Sequence, residues 1–159
     1  SSQLADDKTD TKTVIRNVIK YLDKLNFSFN KVCCIYPTSV FFSQKDLHAG
    51  FKMLNARKNY IFSATKYEHP IHRSFYKKKG NLVTVFSNMQ KKRTQDLPKT
   101  FYDAAQFYFG WKKSWMKKKK IFSGKSEFIE IPRSRSQDID DIEDWKAAEI
   151  LWKLNKKTR

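Results

Sequence analysis

Two cysteines, four glycines and three histidines are all that 159 residues supply of those types. Each shortage removes a class of function. Cys33 and Cys34 are adjacent, so they build neither a disulfide framework nor a four-ligand zinc site, and they suit a reducing, cytoplasmic setting. Gly50, Gly80, Gly110 and Gly124 lie far apart. Neither G-x-G-x-x-G nor G-x-x-x-x-G-K can be written, which excludes those phosphate-cradling loops. His48, His69 and His72 are too few and too badly spaced for a metal cage, and no nucleophile elbow supports a Ser-His-Asp triad. Apolar runs such as Val32–Tyr36 are far too short to span a bilayer, and the opening Ser1–Asp7 has no apolar signal core, so no membrane partner is expected. An initiating Met is also absent; either processing removed it or the segment is internal to a longer chain.

Negative charge is scarce as well. Against 33 Lys plus Arg stand 16 Asp plus Glu, a formal net charge of +17. The lysines clump at Lys77–Lys79, Lys91–Lys92, Lys112–Lys113 and Lys117–Lys120. Such clumps bind nucleic acid by counterion release or steer an anionic ligand, and they also occur as a plain solvated surface. Specific nucleic-acid readers favour arginine, and no groove-binding motif is visible, so nucleic acid is the second reading.

What is present is a globular composition, 40% apolar and 15% aromatic. Asp10 or Thr11 caps a helix to about Leu25, with Val14, Ile15, Val18, Leu22 and Leu25 on one face. Val32–Tyr36 reads as a strand covered on both faces, and Tyr60–Ala64 as another buried strand. Ser43 and Asp46 form a capping pair for the helix between them, which carries Leu47, Phe51 and Leu54. Ile71–Tyr76 and Leu82–Phe86 flank a Lys79-Gly80-Asn81 turn as a hairpin. A strand at Ala105–Phe109, a short helix at Trp111–Lys119 and a last strand at Phe128–Ile131 follow. Asp140 and Glu143 are the expected capping pair of a closing helix with Ile142, Trp145, Ala148 and Leu151 inward. This rhythm belongs to an open α/β sheet in one domain, 1–159, without repeat or linker.

The carboxylates are concentrated. Asp138, Asp140, Asp141, Glu143 and Asp144 fall within the eight residues Gln137–Asp144. In an extended segment Asp138 and Asp140 share a face, where hard oxygen ligands suit Mg²⁺. Helix capping accounts for Asp140, Asp141 and Glu143 but not for Asp138. Spacing alone leaves both readings open.

Several ordered segments carry a family resemblance. Arg93-Thr94-Gln95-Asp96-Leu97-Pro98, then Tyr102-Asp103-Ala104-Ala105-Gln106-Phe107-Tyr108, resembles the acylneuraminate cytidylyltransferases, nearest to their pseudaminic acid branch. Tyr36-Pro37-Thr38-Ser39, Pro70-Ile71-His72-Arg73 and Asp138-Ile139-Asp140 with Asp144-Trp145 and Ala148-Glu149 match further motifs in the same order. The resemblance implies a Rossmann-like open sheet of the nucleotide-diphospho-sugar transferase type. It also implies transfer of CMP from CTP to a nonulosonic acid, pseudaminic or sialic, with release of pyrophosphate. Asp138 and Asp140 would hold Mg²⁺ at the catalytic centre. Thr38, Ser39, His72, Arg73, Arg93, Gln95, Asp96 and Gln106 would bind substrate, with Arg73 or Arg93 on the sugar carboxylate. A homodimer is a further possibility. His72 replaces the family's usual Gln, and Ala105 stands where the branch commonly has Gly. The family's opening strand and Gly-Ser-Lys loop for CTP have no match, and Leu4–Thr9 resembles an inner stretch. The expectation is therefore a fold incomplete at its N-terminus, weakly stable and weakly active alone. The competing class is a non-catalytic basic protein that binds nucleic acid or other polyanions.

Overall fold

A computed structural model describes residues 9–157; Leu4–Lys8 of the inner-stretch reading lie outside them. The first helix, α1, spans Thr11–Lys24, and its N-cap is Asp10, whose side chain accepts from the Thr13 amide. Strand β1 is Lys31–Ile35. Helix α2, Gln44–Met53, opens with the expected capping box of Ser43 and Asp46. Strand β2 runs Tyr60–Lys66, and the hairpin is β3 Phe75–Lys78 with β4 Asn81–Thr84. Its two turn residues, Lys79 and Gly80, both have positive φ (50° and 83°), the backbone that matches the twist of paired strands. Strand β5 is Phe101–Trp111, helix α3 Lys112–Met116, strand β6 Ser126–Glu130 and helix α4 Ile142–Lys157.

The four long strands form one open mixed sheet in the order β1-β5-β2-β6, with β5 antiparallel to β1 and β2, and β2 parallel to β6. Side chains alternate between two cores, as the period of two requires. On one face Ile15 and Ile19 of α1 and Trp115 of α3 pack on Tyr60 and Tyr108, with Val32 and Cys34 alongside. On the other, Leu54, Ile61, Phe107, Phe109 and Ile131 form a second core that takes in Cys33 and Leu47. The sheet is thus an α/β layer with helices on both faces.

Some expectations shift. The α1 stripe is rotated: Ile15 and Ile19, four apart, meet Trp115, while Val18 and Leu25 are exposed. Strand β1 is covered on both faces as expected, but it is an edge strand, paired only with β5 among the described residues, and so only half-buried. Helix α4 turns Ala148 inward but leaves Ile142 and Trp145 exposed, against expectation. Its first amides are capped by Asp141, whose Oδ1 accepts from Glu143 and Asp144, and not by Asp140.

Strand β5 is much longer than Ala105–Phe109 because it contains a bulge. Phe62 pairs with Tyr108 and Ala64 with Asp103, so Ser63 alone faces Ala104–Phe107. The fully buried Ser63 hydroxyl fills the gap in the ladder by accepting from the Gln106 amide (3.0 Å) and the Phe107 amide (3.3 Å). Ala105 sits in the bulge with φ 50°, in the left-handed region. That backbone is the physical reason glycine is favoured at such a position.

Candidate active site

Because β5 runs against its neighbours, its first residues lie at the same end of the sheet as the carboxyl ends of β1, β2 and β6. Open α/β sheets bind ligands at that end. Four chain segments arrive there: the loop after β1 with Thr38 and Ser39, the turn after β2 with His72 and Arg73, the start of β5 with Asp103, and the residues after β6 with Asp138 and Asp140. Bulges concentrate at such places because they re-aim side chains.

Hydrogen bonds tie three of these segments, the loop after β1, the start of β5 and the residues leading to Asp138, to one another through the bulge. The Ser39 hydroxyl lies 2.9 Å from the Gln106 carbonyl oxygen and 3.2 Å from that of Ala105. The Gln106 side chain donates to the carbonyl of Arg135, three residues before Asp138. Gln106 itself is 2% exposed. Ser39 and Gln106, read from the sequence as ligand contacts, are therefore engaged with protein backbone, whereas Thr38 is exposed.

The turn after β2 behaves similarly. His72 is buried against Phe86, ring centroids 5.4 Å apart. Arg73 is exposed, and its Nη2 donates to the Lys92 carbonyl at 2.7 Å, which pins the segment that carries Arg93. Arg93 in turn holds Asp96 through Nε at 2.9 Å, with Gln95 exposed between them. No hydrogen bond or ion pair joins Arg93–Asp96 to the acidic segment among the described residues.

The acidic segment separates into two kinds of carboxylate. Asp141 caps α4, and Asp144 accepts from the Asp140 amide (3.1 Å) and from Gln137 (3.0 Å). Asp138 and Asp140 are exposed and make no ion pair with any described cation. Asp138 Oδ1 accepts only from the neighbouring Ile139 amide. The two aspartates that spacing singled out are thus the two the helix does not need. No group of three or more His, Cys, Asp or Glu suited to a metal occurs among the described residues.

Across from them is a residue that sequence reasoning did not select. Asp103 accepts from the Ala105 amide (3.0 Å) and from the Tyr108 hydroxyl (2.5 Å). Burial pushes its carboxyl above the ordinary range against these two bonds, and the negative charge of Asp138 adds to the rise. The acidic segment therefore faces the start of β5. Burial, then Asp103, holds the Tyr108 hydroxyl above its usual titration range. Its ring packs at a tilt against Tyr36 (centroids 5.4 Å apart, 47° between the rings), whose hydroxyl shares a 3.2 Å hydrogen bond with Thr11. The signal for Asp103 was its place in the Tyr102–Tyr108 motif; its burial depends on a bulge that no spacing reveals.

Known proteins resemble the chain over nearly all of its length. A pseudaminic acid cytidylyltransferase of Campylobacter jejuni serotype O:2 is 36% identical over 154 residues, covering 96% of this chain and 66% of that protein. Its counterpart in serotype O:23/36 is 35% identical over the same extent. The chain belongs to the pseudaminic acid cytidylyltransferase family. It spans just under two thirds of the length of these cytidylyltransferases. A Helicobacter pylori protein named pseudaminic acid cytidylyltransferase and UDP-2,4-diacetamido-2,4,6-trideoxy-beta-L-altropyranose hydrolase is 30% identical over 139 residues, 86% of this chain and 26% of that protein. No protein-family model matches the chain. No described helix is long and apolar enough to cross a membrane.

Proposed function

We propose that the chain takes part in transferring CMP from CTP to the anomeric hydroxyl of a nonulosonic acid. In this reaction the sugar oxygen forms a bond to the α-phosphorus, the bond from that phosphorus to the bridging oxygen breaks, and pyrophosphate leaves with the electron pair. The hydroxyl proton passes to solvent or to a nearby base. The observation that carries the reading is convergence: Tyr36–Ser39, Asp103–Gln106 and the segment leading to Asp138–Asp140 are joined through the bulge at one end of the sheet, the end where the turn with His72 and Arg73 also follows β2. The kinship with the cytidylyltransferases supports it.

Asp138 and Asp140 fit a hard divalent ion such as Mg²⁺, because they are exposed oxygen donors unclaimed by helix cap or cation. With only two protein carboxylates, the ion's remaining positions would go to water and substrate phosphates. When bound, such an ion neutralises charge on the nucleotide phosphates. The chain's own residues do the positioning. Thr38 borders the nucleotide side of the cleft, and Arg73 and Arg93 present guanidinium groups suited to the sugar carboxylate. Exposed lysines such as Lys77 and Lys78 add a positive field that draws in an anionic substrate.

The test is pyrophosphate release from CTP, expected only when both a nonulosonic acid and Mg²⁺ are present. Asp138→Asn and Asp140→Asn should each abolish it while leaving the circular dichroism spectrum unchanged. Release without the sugar, or full activity in both variants, refutes the proposal. Binding of short RNA that weakens steeply with salt, with no pyrophosphate release, would favour the polyanion-binding alternative.

A further inference from the structure

The acidic segment is not anchored by its own residues alone. Arg135 lies just upstream of it, and its guanidinium reaches back to the start of α2. There Nη1 donates to Asp46 Oδ2 at 2.5 Å and Nη2 to Oδ1 at 3.2 Å, the fork-on-carboxylate arrangement that fixes direction as well as distance. The same Nη1 donates to the Phe41 carbonyl at 3.1 Å, on the loop after β1. Asp46 is simultaneously the third residue of α2 that closes the capping box, accepting from the Ser43 amide (2.7 Å) and hydroxyl (2.6 Å). The two side chains are only 21% and 11% exposed. From beneath, Gln106 holds the Arg135 carbonyl.

The Asp46–Arg135 pair thus joins three parts of the cleft: the loop after β1, the start of α2 and the segment leading to Asp138. A pair needed only to stabilise the fold would not have to contact all three. We infer that Asp46 and Arg135 are positioning residues that set Asp138 and Asp140 at the distance from the β1 loop that divalent-ion binding requires. The inference rests on the cytidylyl-transfer reading and deepens it. Outer partners that orient the ligands of an ion commonly change its affinity by about 10- to 100-fold when removed.

The experiment measures Mn²⁺ binding to this chain by electron paramagnetic resonance, with and without CTP, alongside urea unfolding. Arg135→Lys keeps the charge but loses the fork, and Asp46→Asn keeps the helix cap but loses the ion pair. Both should weaken Mn²⁺ binding by about tenfold or more. Ser43→Ala removes the capping box and leaves the Arg135 pair, so it should lower stability without moving the Mn²⁺ affinity. Should Arg135→Lys and Asp46→Asn bind Mn²⁺ within twofold of wild type while Asp138→Asn does not, the positioning role is overturned and the metal reading stands. Equal weakening by Ser43→Ala would reduce the pair to a purely stabilising contact and overturn the inference. Undiminished Mn²⁺ binding in Asp138→Asn overturns the metal reading and the inference with it.

Discussion

Replacing alanine by glycine inside a strand normally destabilises a protein, by about 0.5–1 kcal/mol from chain entropy alone. At position 105 the sign should reverse. Ala105 has φ 50°, where an L-residue's Cβ crowds its own carbonyl at a cost of roughly 1–2 kcal/mol. Glycine escapes that cost and forfeits about 0.5–1 kcal/mol of unfolded-chain entropy, so Ala105→Gly should stabilise by about 0.5–1 kcal/mol. The neighbouring Ala104→Gly is the control. Ala104 is buried and absent from the positive-φ residues, so it should lose the entropy plus about 0.8 kcal/mol of methyl burial. Urea unfolding followed by tryptophan fluorescence reads both, since Trp115 is fully buried in the folded state. Near the midpoint of heat unfolding, each kcal/mol corresponds to about 2–4 °C for a domain of this size. If Ala105→Gly falls below wild type, the left-handed backbone at 105 is wrong and the bulge with it. If the two variants shift together, glycine content and not conformation is deciding the outcome.

Three further outcomes follow from the same reasoning. Ser63→Ala orphans the Gln106 and Phe107 amides at a fully buried site and should cost about 2–4 kcal/mol, readable in the urea midpoint; a cost below about 1 kcal/mol means water or another acceptor replaces the hydroxyl. Burial would raise the Asp46 carboxyl, but the Arg135 guanidinium and Ser43 bonds outweigh it and hold it low. Its contribution should therefore be complete above the unfolded value of about 4 and vanish as pH falls through the folded one, so wild type and Asp46→Asn converge in acid. Burial, then the neighbouring Cys34, pushes the Cys33 thiol up to about 12, so iodoacetamide at pH 8 should modify it only on unfolding; rapid labelling of the native chain would contradict its packing.

Much of this architecture is legible in the residues because it rests on local chemistry. The Ser43–Asp46 box, the Lys79-Gly80 turn and the apolar runs of β1 and β2 are each specified within a few positions. Misplaced features depend on partners distant in sequence. The rotation of α1 toward Ile19 is set by Trp115, nearly a hundred residues away. The extent of β5 depends on one hydroxyl of β2. At the site, the pattern finds Asp138 and Asp140 but ranks Asp140 as a cap, because Asp141 one position later serves as well by composition. His72 and Gln106 look like ligand residues and are buried; Asp103, Asp46 and Arg135 look ordinary and are held at the crossing of segments.

Strand β5 has one more implication. Near its far end Gly110 is wedged so tightly that a Cβ would fall 2.5 Å from Trp115 Nε1 and 2.7 Å from the Tyr60 ring. Because of the bulge, Asp103 lies only as far from Gly110 as Ala64 lies from Tyr60 on the paired strand, four steps or about 13 Å, so the two ends of the strand move as one lever. A methyl group added at its fulcrum would tilt the cleft end without touching any residue of the cleft. Inactivating substitutions in this lineage should therefore form two clusters, one around Asp103–Gln106 and a remote one around Tyr60, Gly110 and Trp115. A screen confined to residues near the substrates would miss the second.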